Sequence, residues 1–238
     1  LVALEGGLIY NYDRFGKTVK GWKFKGSDDI TYPIKHFVLN GKDYIVALTE
    51  TGIPYVLNRR GEVRLKLKSR VPLSPENEYF LDVGSDISQS KIVTSDSVGN
   101  VHFTYFNDEV ERLNLQELSP NHRFVYTDVN NNGRRDIILS DSNLMRIYDH
   151  RKEKLFEIET ENTIAEQPLT FVFNDGDIRY GLLDHEIGKV WLYEREGRVS
   201  DNFPKPGNSL FSISDINKDG TYNLMVAVGD KLVVYNLQ

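Results

Sequence analysis

Two nine-residue stretches set oxygen-bearing side chains at alternate positions around a glycine. The first is Asp128-Val-Asn130-Asn-Asn132-Gly133-Arg-Arg-Asp136; the second is Asp215-Ile-Asn217-Lys-Asp219-Gly220-Thr-Tyr-Asn223. Oxygens at the first, third, fifth and ninth positions, with the carbonyl of the seventh, can wrap one hard cation. Glycine at the sixth supplies the sharp turn, and calcium, which takes about six to eight oxygen ligands, is the ion such a loop suits. Loop one offers Asp128, Asn130, Asn132 and Asp136 with the Arg134 carbonyl. Loop two offers Asp215, Asn217, Asp219 and Asn223 with the Thr221 carbonyl. Each holds only two carboxylates, and Arg134 and Arg135 crowd the first, so any calcium is expected to be structural and weakly held, with a Kd on the order of 10⁻⁴–10⁻³ M. The same residues can instead close Asx turns, bonding their own backbone with no ion present. An EF-hand is excluded: its twelfth position falls on Leu139 and Val226, and strand-like runs flank both loops.

No other grouping points to a reaction. His36, His102, His122, His150 and His185 are scattered, and none shows metal-ligand spacing with another. The acidic pairs Asp28-Asp29 and Asp108-Glu109 fall in turns and read as solvated loop charges. There is no Gly-x-Ser-x-Gly elbow, P-loop or dinucleotide fingerprint, and no catalytic residue is assigned. The chain lacks cysteine, which removes disulfides and thiolate metal sites. A net charge of −6 argues against a nucleic-acid partner. The basic run Val63-Arg64-Leu65-Lys66-Leu67-Lys68 alternates with apolar residues, which puts its cations on one side of a strand. An outer strand that uses them to discourage edge pairing is the expectation. No apolar run is long enough to span a membrane. Leu1–Glu5 carries no basic leader region and reads as a strand, so a processed or truncated piece of something longer is expected.

The elements that hold the loops repeat. A turn residue is followed five positions later by Tyr in Gly7–Tyr12, Asn100–Tyr105, Asn143–Tyr148, Gly188–Tyr193 and Asp230–Tyr235, with Gly52–Leu57 a variant. These turn positions lie 45, 48, 43, 45 and 42 residues apart. Gly16, Gly61 and Gly197 mark the next turn. Pro-containing bridges such as Ser119-Pro120-Asn121 separate the units, because proline removes a ladder donor. One period holds four short strands; in the unit of loop one they are Arg123–Thr127, Ile137–Ser140, Leu144–Tyr148 and Leu155–Ile158. Thirteen Tyr and twelve Phe against two Met favour strands, and no segment sustains a helical period. The expected fold is all-β: a β-propeller of four-stranded blades filling residues 1–238 as one domain. Six blades are traceable, four complete, the first lacking its opening strand and the last ending after its third. The recurrent Tyr are expected to pack between sheets. The first strands, Tyr32–Leu39, Glu78–Leu81 and Leu169–Phe173, converge on no repeated acid, base or nucleophile.

The acidic loops resemble those of FG-GAP or VCBS-type propellers, the group that includes integrin α-subunit blades. In that group Asp-x-Asp/Asn-x-Asp/Asn-Gly-x-x-Asp binds calcium between the first two strands of a blade. Loop one matches throughout; loop two departs at Asn223. Asp82-Val-Gly-Ser-Asp86 resembles a remnant, and Asn174-Asp-Gly176-Asp a short hairpin that has lost the motif. The Phe-Gly and Gly-Ala-Pro words of the family are missing. The chain is also similar to C-terminal propellers of large Bacteroidetes envelope proteins. The resemblance implies an extracytoplasmic, non-catalytic propeller that binds a protein or a glycan, forming the C-terminal part of a longer protein. A carbohydrate-active lyase or hydrolase with its site in the channel is the alternative.

Overall fold

The computed structural model describes residues 1–173 and 176–237. All regular structure in them is β, and among them no helix is long and apolar enough to cross a membrane. The chain separates into two compact units, Leu1–Pro120 and Asn121–Gln238. Their boundary falls on the bridge Ser119-Pro120-Asn121.

Unit one holds three antiparallel sheets: β1 (Val2–Leu4) with β2 (Leu8–Tyr10); β3 (Lys35–Leu39), β4 (Lys42–Leu48), β5 (Pro54–Leu57) and β6 (Val63–Leu65); and β7 (Phe80–Asp82), β8 (Lys91–Ser95), β9 (Val101–Tyr105) and β10 (Val110–Leu113). Unit two holds three more: β11 (Arg123–Thr127), β12 (Asp136–Asp141), β13 (Leu144–Tyr148) and β14 (Lys154–Glu159); β15 (Leu169–Val172), β16 (Ile178–Asp184), β17 (Lys189–Tyr193) and β18 (Lys205–Pro206); and β19 (Ser212–Ser214), β20 (Tyr222–Val228) and β21 (Lys231–Leu237). Every strand pairs with its chain neighbour. The four complete sheets and the three-stranded last sheet are those the repeat predicts. In the first sheet, the fourth strand is reduced to the bridges Leu8↔Lys25 and Tyr12↔Thr18. The fifth sheet uses the same register, with Lys189↔Pro206 and Tyr193↔Val199.

Period two explains the packing. In β4, Tyr44, Val46 and Leu48 point into a core shared with Tyr79, Ile92 and Phe106 of the next sheet. Ile45 and Ala47 point the other way, against Ile9 and Ile30. Tyr79 clasps two sheets: its hydroxyl donates to the Val46 carbonyl (2.8 Å) and accepts from the Lys35 N–H (3.2 Å). In unit two, Leu183 and Val190 pack with Phe211, Leu224 and Val226. The basic run lies on and beyond β6, the fourth strand of its sheet, and Arg64 stands 5.2 Å over the Tyr44 ring.

Two expectations need correction. The left-handed turn residue is Gly99, Ser142 and Gly229, one position before Asn100, Asn143 and Asp230. The Tyr frame is buried only at Tyr148 and Tyr193; Tyr12 is exposed, and Tyr105 and Tyr235 are half-buried. Tyr235, although half-buried, packs against the cluster of Leu183, Val190 and Phe211, so the frame records strand register more than a constant depth of burial.

The turn between the second and third strands also anchors the exit of the fourth. The carbonyls of Gly7, Gly52 and Gly188 accept from the N–H of Gly26, Val71 and Gly207, each nineteen residues on, at 2.7–2.9 Å. A Cβ on Gly52, whose φ is +79°, would lie 2.3 Å from the Val71 carbonyl oxygen. Gly41 has φ +71° but open space around it. Gly52→Ala is therefore expected to cost about 3 kcal/mol, from left-handed strain plus overpacking, and Gly41→Ala about 1 kcal/mol. Urea midpoints of the two variants check the difference.

Candidate metal centre

Loop one connects β11 to β12 and loop two connects β19 to β20. The hairpins close in the same register, Thr127↔Asp136 and Ser214↔Asn223. The first aspartate of each turns back on the loop. Asp128 accepts from the N–H groups of Asn130 (3.3 Å), Asn132 (3.1 Å) and Gly133 (2.7 Å). Asp215 accepts from those of Asp219 (3.2 Å) and Gly220 (2.9 Å). The fifth residue repeats the pattern two positions on: Asn132 accepts from Arg134 N–H at 2.8 Å, and Asp219 from Thr221 N–H at 2.7 Å. Left-handed residues stand at the fourth and sixth positions of both, Asn131 and Gly133, then Lys218 and Gly220. The sequence difference at the fourth position, Asn against Lys, leaves the backbone path unchanged.

The ninth residue opens a strand and is buried. Asp136 is wholly inaccessible and accepts from Val129 N–H (3.0 Å) and His150 N–H (3.1 Å). Asn223 accepts from Ile216 N–H (3.3 Å) and donates to the Asn236 side-chain oxygen (2.8 Å). The departure from Asp to Asn thus keeps the acceptor and turns a second contact into a donor. Burial raises the Asp136 carboxyl above its usual range; its two backbone donors counter this, and nearby Asp128 adds to it. Asp219 is held low by the Thr221 N–H and the Asn217 amide, which donates to it at 2.7 Å.

The third position separates the loops. The Asn130 side-chain oxygen is buried and has no hydrogen-bond partner. In loop two the Asn217 amide is engaged with Asp219. The Arg134 guanidinium donates to His150 Nε2, outside the loop. Among the described residues no group of three or more His, Cys, Asp or Glu is gathered as metal ligands; each loop gathers two carboxylates with amide oxygens. Leu139 and Val226, where an EF-hand would need its last ligand, are buried in strands.

A third hairpin of equal length joins β7 to β8 and closes at Asp82↔Lys91. Val83 stands where Asp128 and Asp215 stand, and Lys91 where Asp136 and Asn223 stand. The Lys91 ammonium bonds the Asp82 carboxylate at 2.9 Å and stands over the Phe103 and Tyr105 rings of β9, so its charge lies against the sheet. Asp86 is held low by the Ser88 hydroxyl, which donates to it at 2.6 Å. Residues 174 and 175 of the fifth-sheet hairpin lie outside the described residues.

Three of the histidines are tied to carboxylates. His36 bonds Asp43, His102 bonds Asp96 and His185 bonds Glu166, at 2.9–3.1 Å. The acidic pairs are not simply solvated. Asp29 accepts from Gly6 N–H at 2.6 Å, and Asp108 from Lys68 N–H at 2.7 Å, so both fasten segments distant in sequence. Sequence reasoning missed a cluster around Asp96. Burial pushes its carboxyl up, but bonds from His102, the Asn100 amide and two backbone N–H groups outweigh this and hold it low. The Asp96-x-x-Gly99 turn was its only signal.

No protein-family model matches the chain, and no curated protein does. Among solved structures it is similar to BBS1N in complex with ARL6DN. In the lead-soaked crystal the TM-score is 0.64 at 16% identity, covering 99% of this chain and 73% of that one. The mercury-soaked crystal gives 0.65 at 15%, with the same coverage. Aleuria aurantia lectin, in complex with α-methyl-L-fucoside, aligns at a TM-score of 0.49 and 11% identity over 95% of this chain and 85% of that one. The fold is a β-propeller. Its four-stranded sheets are the blades, and both acidic loops lie between the first two strands of a blade.

Asp136→Asn imitates Asn223 and should cost no more than about 1 kcal/mol, whereas Asp136→Ala, leaving two buried N–H groups unsatisfied, should cost roughly 2–4 kcal/mol. The raised carboxyl also fixes a sign. The folded state holds this proton more tightly than the unfolded one, so the contribution to stability is present below the usual value and lost as pH rises through the folded one. In calcium-free buffer, denaturation curves from about pH 4 to about pH 7 should therefore shift in favour of Asp136→Asn relative to wild type.

Proposed function

We propose that this chain is a non-catalytic binding propeller of the FG-GAP or VCBS type, braced by calcium at its two acidic loops and working outside the cytoplasm, where calcium is abundant. The observation that carries the calcium reading is the orphaned Asn130 oxygen, which is buried and has no hydrogen-bond partner. An unsatisfied buried acceptor costs about 1–3 kcal/mol, and a cation would satisfy it. A cation would also relieve the penalty on buried Asp136. Asp128, Asn130, Asn132 and Asp136 with the Arg134 carbonyl would hold the first ion, and Asp215, Asn217, Asp219 and Asn223 with the Thr221 carbonyl the second.

A protein or glycan is the partner class proposed. BBS1N, the propeller of similar fold, is itself seen in complex with ARL6DN. Exposed Leu1, Val2, Leu4 and Tyr10 on the first sheet, and Leu232 and Val234 on the last, leave apolar surface for further covering.

If a site has a Kd of about 10⁻⁴ M, calcium at about a hundred times that concentration adds about 2.7 kcal/mol of stability per site. The melting temperature should rise with calcium and fall back with chelator. Asp128→Ala and Asp215→Ala should each remove part of that increment, whatever they do to the calcium-free protein. A melting curve indifferent to both calcium and chelator refutes the calcium bracing and leaves Asx turns. Light scattering tests whether this apolar surface needs covering: self-association of the isolated 238-residue chain is expected, and a non-associating, cooperatively melting monomer counts against it.

A further inference from the structure

Unit two contains a cavity of about 240 Å³ between the end of β14, the segment that follows it, and the strands β16 and β17. Its lining includes Glu159, Glu161, Asp184, Trp191 and Tyr193, and no Lys, Arg or His. Trp191 and Tyr193 stand two residues apart on β17, so they share one face of the strand. Their rings are stacked, with centroids 6.2 Å apart and planes 23° from parallel.

Three observations bear on an occupant. First, Tyr193 is 5% exposed, and its hydroxyl has no hydrogen-bond partner among the described residues. Tyr193, Asp184 and Glu161 all line the cavity; burial first, and then these two acids, raise the phenol above its usual range. Second, the acids are unequally engaged. Asp184 is fixed: it accepts from the Asn162 amide at 2.9 Å and from the N–H groups of Glu186 and Ile187 at 3.1 and 3.3 Å. Glu159 receives only a long contact of 3.4 Å from the Asn143 amide. Glu161 has no hydrogen-bond or ion-pair partner among the described residues. Third, the volume is below the roughly 300–1,000 Å³ of pockets that take drug-sized ligands, so it suits one side-chain head or a small molecule and not an extended glycan.

We propose that this cavity receives an organic cation: an ammonium or guanidinium group that lies against Trp191 and Tyr193 and is ringed by Glu159, Glu161 and Asp184. Aromatic faces attract such cations through their quadrupole, most strongly where water is excluded. The three carboxylates, none of them in an ion pair among the described residues, supply the matching charge. The group can come from a Lys or Arg of a protein partner or from a free amine; the chemistry of the site is the same. The site goes beyond the calcium reading and uses none of the loop residues.

Calorimetric titration of the whole chain, in chelator and about 0.15 M salt, tests it. The probes are blocked Gly-Lys-Gly and Gly-Arg-Gly peptides, tetramethylammonium, and neutral methyl glucoside. The cations should bind saturably and the glucoside should not. Glu159→Gln with Glu161→Gln, both on exposed positions, should weaken the cations by roughly five- to tenfold. Peptides tighter than tetramethylammonium identify a partner side chain as the source, and the reverse order a free amine; either supports the site. Binding of glucoside in place of the cations, cation binding unchanged by the double substitution, or no saturable binding of any probe overturns it. Because chelator is present throughout, failure here leaves the calcium reading untouched.

Discussion

Burial of the second strand of each blade on both faces is the constraint on which the rest depends. β4, β8, β12 and β16 are almost continuously buried, whereas the fourth strands β6, β10 and β14 are largely exposed. A sheet covered on both sides cannot be stable alone, because each face belongs to a core shared with a neighbour. Burying an aliphatic side chain contributes about 1.5–3 kcal/mol, so three or four such residues per face hold two blades together. The hydrogen-bond clasps, such as the Tyr79 hydroxyl between Val46 and Lys35, set alignment more than they add energy.

The acidic loops sit where that constraint relaxes. They project from the end of the first two strands, and only their ninth residue is drawn into a strand. One side chain therefore answers to two environments. Asp136 belongs to the core by position and to the loop by its bonds, and its raised carboxyl expresses the conflict. Asn223 resolves the conflict by giving up the charge.

Much of the architecture was legible because its markers are backbone requirements. Gly7, Gly52 and Gly188 occur where φ is positive and another chain segment passes close, so their spacing counts blades. Ser142 tolerates the same conformation with a Cβ, which is why the period had to be traced through its neighbour Asn143. Tyr12, Tyr105 and Tyr235 kept the frame without the burial, since burial depends on the adjacent sheet and not on local sequence. The ties made by Asp29 and Asp108 were invisible because their partners lie 23 and 40 residues away. The loops were found by composition, yet the isolation of the Asn130 oxygen, and the equivalence of Lys91 with Asp136, needed the strand register.

In three blades the nineteen-residue clasp gives the two ends different freedom. At the end where the clasp forms, the chain between the turn carbonyl and the N–H it accepts is constant in length from Gly7 to Gly26, Gly52 to Val71 and Gly188 to Gly207. At the other end the connection between the first two strands varies, from a tight turn at Leu39↔Lys42 to the long loops closing at Thr127↔Asp136 and Ser214↔Asn223. Insertions are thereby channelled to one side of the blade. A lineage built on this frame can diversify what it displays there by lengthening or shortening a single hairpin, while the clasp holds the opposite side of these three blades to one length.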